Sequence, residues 1–281
     1  MVSHKPPDVI QSDRDTFERD GAVCLRGVYP REAIAGLLDA WDRVEAYPTA
    51  LGLQTPGEER RRVSGGDTII SNPSHHVPDF MLFILGSPVP ALLGSLAGAR
   101  AFGHYWDTVF TKSPHSAGPT DWHHDAGASA VRGNMLLNAW TPLTPTTPAC
   151  GLECLAGSHK SDVLYWPRSP NGSRLTPPPD RPHCPNFEEQ RGDPSLTFLG
   201  WDMEPGDILV LHPRTAHFSR GNQTNQRRVA YATWWYGDDV VWDPRPECEV
   251  GRAEAPFAAM TPGARPDPAR FPILWTSPDA E

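Results

Sequence analysis

The amino-acid sequence changes character near residue 99, and this change limits the possible folds more than any other feature. Before residue 99, apolar side chains recur at helical spacing. After it, runs of β-branched, aromatic or alternating residues between turn signals predict strands at 102–112, 135–143, 208–212 and 229–236. Helices followed by strands favour an α+β, mainly β fold, in which the helices pack outside an antiparallel barrel or sandwich.

Four helices and one strand are expected before residue 99. The first helix is predicted to begin at a cap on Ser12 and to end at Gly21, and a strand follows at 22–25. A second helix is predicted over 31–46, and two short apolar helices are predicted within 78–97. This part of the chain is therefore expected to be mainly helical.

Two polar segments, 50–75 and 160–195, are predicted to be loops. Loops carried by a rigid scaffold usually set specificity, so the second, proline-rich segment is expected to act as a lid over a site. No shift in composition marks a second domain. The chain is expected to form one domain, 1–281, with a mainly helical part at 1–98, a β core at 99–240 and a C-terminal extension at 241–281.

Charge and composition exclude several kinds of partner. Lys and Arg number 25 and Asp and Glu number 34, for a net charge of -9. This acidic balance argues against binding to a phosphate backbone, so no nucleic-acid partner is expected. No apolar run is long enough for a membrane span. The five cysteines are irregularly spaced and indicate no disulfide framework, which fits a reducing, cytoplasmic setting.

The segment Asp121-Trp122-His123-His124-Asp125 contains a potential metal-binding pair. On extended backbone, residues i and i+2 point to the same side, so His123 and Asp125 can bind one ion while His124 faces the other way. An imidazole and a carboxylate together suit Fe(II), Zn or Mn. So short a pattern also arises by chance, and it needs a third ligand to support it.

Two histidines further along the chain are candidates for that ligand. His212 ends an apolar strand, where a histidine is commonly structural, so His217 is preferred. His217 would complete a facial triad of two histidines and one carboxylate, which leaves open metal positions and is typical of non-haem Fe(II) oxygenases. Arg228 offers the fixed fork of donors that a dicarboxylate cosubstrate needs at its far end, and Ser219 could add a hydroxyl donor.

Four segments in order carry a recognisable pattern: an opening helix and strand at 17–28, the metal motif at 122–125, a central strand and Gly-Ser-His turn at 138–159, and the distal stretch at 206–228. Together they resemble the phytanoyl-CoA dioxygenase (PhyH) family of Fe(II)/2-oxoglutarate-dependent oxygenases. The likeness covers most of the chain. It implies a double-stranded β-helix (jelly-roll, cupin-like) core with flanking N-terminal helices.

The resemblance also implies a site and an activity. The implied cofactors are Fe(II) and the cosubstrates 2-oxoglutarate and O2, with iron held by His123, Asp125 and His217, and 2-oxoglutarate held by Arg228 and Ser219 beside Trp140. The implied reaction hydroxylates, or otherwise oxidises, an unactivated C–H bond of a small organic molecule and releases succinate and CO2. A secondary metabolite or amino-acid derivative is the expected substrate, and a monomer or homodimer is the expected state.

Two residues depart from the family pattern near the metal end of 2-oxoglutarate. Trp106 stands on a core strand where a glutamine is common, and His124 stands between the metal ligands where a glutamine is common. Thr108 and His124 are therefore the candidate donors to that carboxylate. A carboxylate at Asp125 favours hydroxylation or a related oxidation, because similar halogenases carry a small residue there. Substrate contacts are expected from Trp106, Trp166 and Phe187.

Two other functions stay open. A cupin-like Zn or Mn hydrolase or isomerase would keep the triad but would give Arg228 no cosubstrate to hold. A non-catalytic jelly-roll binding module would leave His123, Asp125 and His217 apart in space or without metal. The metal that supports activity and the dependence on 2-oxoglutarate separate these functions.

Overall fold

The computed structural model describes residues 5–46, 60–62, 67–167, 177, 179–245, 248 and 260–279. Within them the helices are α1 (Gln11–Asp20), α2 (Arg31–Ala46), α3 (Pro78–Leu85), α4 (Val89–Ala97) and the single turn α5 (Asp125–Ala128). The strands are β1 (Ala22–Leu25), β2 (Arg60–Arg62), β3 (Thr68–Ser71), β4 (Ala101–Lys112), β5 (Thr120–His123), β6 (Val131–Arg132), β7 (Leu136–Pro142), β8 (Leu152–Leu155), β9 (Phe198–Gly200), β10 (Ile208–Leu211), β11 (His217–Ser219), β12 (Arg228–Tyr236), β13 (Val241–Trp242) and β14 (Ile273–Thr276).

The fold is mainly β, and its named strands pair in antiparallel fashion. The larger sheet has the order β1-β10-β7-β12-β4-β3-β2, and β14 also pairs with β4. The smaller sheet has the order β5-β11-β8-β9, and β6 and β13 form a short ribbon. The four strands predicted after residue 99 become β4, β7, β10 and β12, which lie side by side in the larger sheet.

The two faces of the larger sheet are buried in different ways, because successive side chains on a strand point to opposite sides. One face packs against the helices in a single buried cluster that includes Val210 and Tyr231 from the sheet and Trp41 and Phe80 from α2 and α3. The opposite face, here called the inner face, contributes its residues to a cluster that also contains Cys154 of the smaller sheet. Inner-face side chains therefore meet those of the smaller sheet inside the protein; they include Trp140, Leu209, Ala230 and Ala232.

The first helix starts differently from the prediction. α1 begins at Gln11, and the carboxylate of Asp13 accepts a hydrogen bond of 3.0 Å from the backbone N–H of Ile10. A carboxylate at the third helical position can reach back to the capping residue in this way. The predicted cap on Ser12 was wrong, whereas the predicted end at Gly21 is confirmed by its left-handed backbone, with φ 76°.

The predicted loop at 50–75 was wrong in part, because β2 and β3 lie within it. β3 pairs with β4 and β2 pairs with β3, so the hairpin widens the larger sheet at its edge. The run of arginines in β2 lacks apolar alternation, and charge of this kind is typical of edge strands. Residues 47–59 and 63–66 of this segment lie outside the described residues.

The described parts of the predicted lid and C-terminal extension contain little regular structure. In the lid, Trp166 bridges to His183 and a 3₁₀ turn spans Phe187–Gln190, while residues 168–176 and 178 lie outside the described residues. In the extension, β14 joins the larger sheet through β4. Among the described helices none is long and apolar enough by itself to cross a membrane, although the bent pair α3 and α4 meets that criterion by length and composition.

Replacing Gly21 with alanine is expected to lower the free energy of unfolding by more than the roughly 1–3 kcal/mol that a strained backbone alone costs, because the added Cβ would also overlap its neighbours. A Cβ at Gly21 would lie 2.4 Å from Thr215 Oγ1 and 2.4 Å from His159 Nδ1. Urea unfolding measures the loss. Gly27→Ala is the matched control, because Gly27 also has a left-handed φ of 60° but open space around its Cβ position. Equal losses for both variants would show that the close packing at Gly21 is unimportant.

Candidate metal centre

Three side chains from two strands and one turn converge at one edge of the smaller sheet. β5 and β11 are antiparallel, and their register places His123 directly opposite His217 with ring centroids 4.2 Å apart. His124 is extended, with φ -132° and ψ 149°, so Asp125 at the start of α5 points to the same side as His123. One potential ligand atom from each of His123, Asp125 and His217 lies within 4.8 Å of the others.

Backbone carbonyls fix the orientation of both imidazoles. Nδ1 of His123 lies 2.7 Å from the carbonyl oxygen of Asp121, and Nδ1 of His217 lies 2.9 Å from that of Thr215. When Nδ1–H donates to a carbonyl, Nε2 keeps its lone pair for a metal. Burial, helped by His217, lowers the pKa of His123 to about 4, so this imidazole is neutral at physiological pH.

The two oxygens of the Asp125 carboxylate have different partners. Oδ1 lies 3.7 Å from Nε2 of His217 and 4.0 Å from Nε2 of His123. Oδ2 accepts hydrogen bonds from Asn138 Nδ2 at 3.0 Å and from Trp234 Nε1 at 2.7 Å. Burial opposes ionisation, but both histidines and both hydrogen bonds outweigh it and lower the pKa of Asp125. Two imidazole nitrogens and one carboxylate oxygen suit a divalent transition metal.

A buried arginine of the larger sheet, Arg228 on β12, contacts the strand that carries His217. Ser219 is two residues past His217 on β11, so both side chains share a face and their Cα atoms are roughly 7 Å apart. Arg228 donates from Nη2 to Ser219 Oγ at 3.1 Å and from Nε to the Cys150 carbonyl at 3.1 Å. Its guanidinium lies 5.7 Å from the centroid of the Trp140 ring. The structure thus brings Arg228, Ser219 and Trp140 together.

A second buried cation, missed in the sequence analysis, lies beside Arg228. Lys112 of β4 is directly opposite Arg228 of β12 in the register, so both side chains are on the inner face. Lys112 Nζ donates to the Gly118 carbonyl and lies 3.8 Å from Asp67. Burial and then Arg228 lower the pKa of Lys112 to about 8, and burial lowers that of Arg228 to about 10. A carboxylate bound here would stabilise both charges.

Trp106, Thr108 and His124, which the sequence places near the metal end of 2-oxoglutarate, lie in two separate parts of the structure. Trp106 and Thr108 are buried on the inner face of β4, where Trp106 Nε1 donates to Thr108 Oγ1 at 3.2 Å. Trp106 is opposite Trp234 in the register. His124 instead packs its ring against Tyr165, and its Nε2 accepts a hydrogen bond of 3.0 Å from the Tyr165 backbone N–H. His124 therefore lies on the other side of the backbone from His123 and Asp125.

Trp166 and Phe187 both lie in the predicted lid. The Arg181 guanidinium lies 5.2 Å from the ring centroid of Trp166. Phe187 packs edge-on against Trp122, with ring centroids 5.4 Å apart. Trp122 points to the face of the smaller sheet opposite to His123, since the two are consecutive on β5. This geometry gives no support to substrate contact by Phe187.

Comparisons with known proteins agree with this architecture. The solved carbocyclase SnoK from nogalamycin biosynthesis is 18% identical, covers 97% of this chain and 100% of its own, and has a TM-score of 0.71. The epimerase SnoN, solved with Fe3+, alpha ketoglutarate and nogalamycin RO, is 20% identical, with coverages of 94% and 98% and a TM-score of 0.72. EctD from S. alaskensis, solved with 2-oxoglutarate and 5-hydroxyectoine, is 16% identical, with coverages of 95% and 88% and a TM-score of 0.68. At such identities the likeness shows the fold alone.

A comparison with curated protein sequences gives no match. The family model for phytanoyl-CoA dioxygenase, in contrast, matches residues 17–230, which is well over half of the chain. This match confirms the resemblance drawn from the four sequence segments. The chain belongs to the phytanoyl-CoA dioxygenase (PhyH) family.

Proposed function

We propose that this chain is an Fe(II)- and 2-oxoglutarate-dependent dioxygenase that hydroxylates, or otherwise oxidises, an unactivated C–H bond of a small organic molecule. The observation that carries the proposal is the convergence of His123, Asp125 and His217 within 4.8 Å, with both Nδ1 atoms held by carbonyls. Family membership supports it, and so do the SnoN and EctD structures, which were solved with iron or 2-oxoglutarate.

The fold proposed for this function is a double-stranded β-helix, with the larger and smaller sheets as its two halves. His123 and His217 lie on the smaller sheet and Asp125 in the turn after β5, while Arg228 and Lys112 lie on the inner face of the larger sheet. A cosubstrate bound between the sheets could therefore contact the metal at one end and both cations at the other.

The chain's own residues would each have a defined task. When bound, iron and 2-oxoglutarate supply O2-dependent oxidation of a C–H bond, with succinate and CO2 as products. Arg228, Ser219 and Lys112 would bind the far carboxylate of 2-oxoglutarate through charge-assisted hydrogen bonds. Between Arg228 and Trp234, the inner face of β12 carries only Ala230 and Ala232, whose small side chains leave room for the carbon chain beside Trp140.

The substrate is proposed to bind over the inner face of β3 and β4, where Trp106 lies opposite Trp234, the residue that donates to Asp125. Ile69 and Phe110 are paired across these strands and are both half-buried, and Trp106 is on the same face. These side chains suit a substrate with apolar or aromatic surface. A secondary metabolite or amino-acid derivative remains the proposed class, supported by the nogalamycin and ectoine compounds in the names of similar structures.

The arrangement favours this function over the two alternatives. A Zn or Mn hydrolase or isomerase would use the triad but would leave the buried Arg228 with neutral hydrogen-bond partners only, among the described residues the Cys150 carbonyl and the Ser219 hydroxyl. A non-catalytic binding module would not require three potential metal ligands within 4.8 Å of one another. The buried Arg228 therefore supports a cosubstrate, and the triad supports a metal.

Anaerobic titration of the apo protein with Fe(II) and then 2-oxoglutarate tests the proposal. A weak visible metal-to-ligand charge-transfer band is expected in the wild type, because 2-oxoglutarate would chelate the iron. The band is expected to be lost in His217→Ala, while His212→Ala serves as the control because His212 lies outside the group of three. Iron binding without any band would contradict the oxygenase proposal and favour the Zn or Mn enzymes.

A further inference from the structure

Asp125 is held by two residues that come from a different sheet. Its Oδ2 accepts hydrogen bonds from Asn138 on β7 and Trp234 on β12. These strands are neighbours in the larger sheet, and Asn138 and Trp234 are directly opposite each other in the register. The two donors are therefore fixed by the continuous antiparallel pairing of β7 with β12, whereas Asp125 itself begins a single helical turn.

The Asn138 amide is oriented so that its NH2 group faces the Asp125 carboxylate. Its Nδ2 donates to Asp125, while its buried Oδ1 has no hydrogen-bond partner among the residues that the structure describes. A buried acceptor without a partner destabilises a fold, and an apolar residue of similar size would avoid that loss. A flipped amide would direct Oδ1 at the carboxylate and repel it. Contact with Asp125 is the interaction that the observed orientation preserves.

We propose that Asn138 and Trp234 are positioning residues that keep Asp125 a one-oxygen metal ligand. With two hydrogen bonds on Oδ2, only Oδ1 is free to face the two Nε2 atoms. The consequence of this arrangement for catalysis rests on the proposed function. Two histidines and one carboxylate oxygen leave three positions on a six-coordinate metal, two for 2-oxoglutarate and one for O2. A carboxylate that bound through both oxygens would fill the position that O2 needs.

The test uses Co(II) alone as the probe, since its visible spectrum reports coordination number without any cosubstrate. Trp234→Phe keeps an aromatic ring and removes the N–H donor. Trp235→Phe is the matched control, because the neighbouring Trp235 donates its own Nε1–H to Thr233 Oγ1 at 2.8 Å on the opposite face. Trp234→Phe is expected to weaken Co(II) binding at least tenfold and to change the visible bands, and Trp235→Phe is expected to do neither.

Asn138→Leu provides a second variant in case Trp234→Phe does not fold. It is expected to change the Co(II) spectrum in the same direction while the thermal midpoint stays level or rises, which a merely structural residue would not do. Wild-type spectra and affinities in both variants, or equal changes in Trp234→Phe and Trp235→Phe, would overturn the inference. Failure of the proposed function is distinguishable: the wild type would then bind Co(II) as expected but show no charge-transfer band with Fe(II) and 2-oxoglutarate.

Discussion

Asp125→Ala is expected to reduce iron-dependent turnover to background. It is also expected to weaken metal binding by at least about a hundredfold, because loss of a residue that only hydrogen-bonds to a metal ligand can already weaken binding by that factor. The variant removes the anionic ligand and leaves only two imidazoles for a divalent ion. The protein is expected to stay folded, because backbone contacts hold the turn: Arg245 donates to the carbonyls of Ala126 and Ser129 at 2.8 and 2.7 Å. Succinate formation from 2-oxoglutarate and circular dichroism measure the two properties.

A nearby acid provides the control for the loss of one negative charge. Asp121 is exposed and precedes His123 by two residues, and the hydrogen bond to that imidazole comes from its backbone carbonyl, which the substitution keeps. Asp121→Ala should therefore retain turnover and metal binding. His123→Ala should behave like Asp125→Ala. Full activity in both of these variants would refute the metal assignment, whatever the behaviour of the control.

The central strands and the group of three could be predicted because their signals are local. Runs of β-branched, aromatic or alternating residues between turn signals predicted β4 and β12, and two-residue spacing on extended backbone predicted that His123 and Asp125 share a side. The choice of His217 over His212 followed from the position of His212 at the end of an apolar strand. The structure places His212 outside the group, where its Nδ1 accepts a hydrogen bond from the Arg214 backbone N–H.

The supporting residues could not be predicted, because they depend on which strands pair and in what register. Trp234 is six residues past Arg228 and Asn138 is two before Trp140, so their spacing alone indicated shared faces. Nothing local indicated that β7 and β12 are neighbours or that Asn138 lies opposite Trp234. Lys112 was missed for the same reason, since only the pairing of β4 with β12 brings it beside Arg228.

Arg228→Gln is expected to raise the 2-oxoglutarate concentration required for half-maximal turnover by roughly 30- to 4,000-fold. Truncating one partner of a buried, hydrogen-bonded charge pair costs about 2–5 kcal/mol, and about 1.4 kcal/mol corresponds to a factor of ten. Arg228 is 3% exposed, so water cannot replace the lost donors easily. Lys112 would remain and would retain part of the binding affinity for 2-oxoglutarate. Metal binding in the absence of 2-oxoglutarate should be unchanged, because Arg228 is not among the three ligands.

The adjacent arginine makes this experiment selective. Arg227 points outward and donates to Asp42 at 2.5 Å and to Glu45 at 2.6 Å on α2, so Arg227→Gln removes the same charge at the neighbouring position without touching the inner face. Its 2-oxoglutarate requirement should match the wild type, although it could lose a little stability. A shared rise in both variants would indicate a general effect of positive charge. An unchanged requirement in Arg228→Gln would place the cosubstrate elsewhere, and the buried charge of Arg228 would then need another anion to explain it.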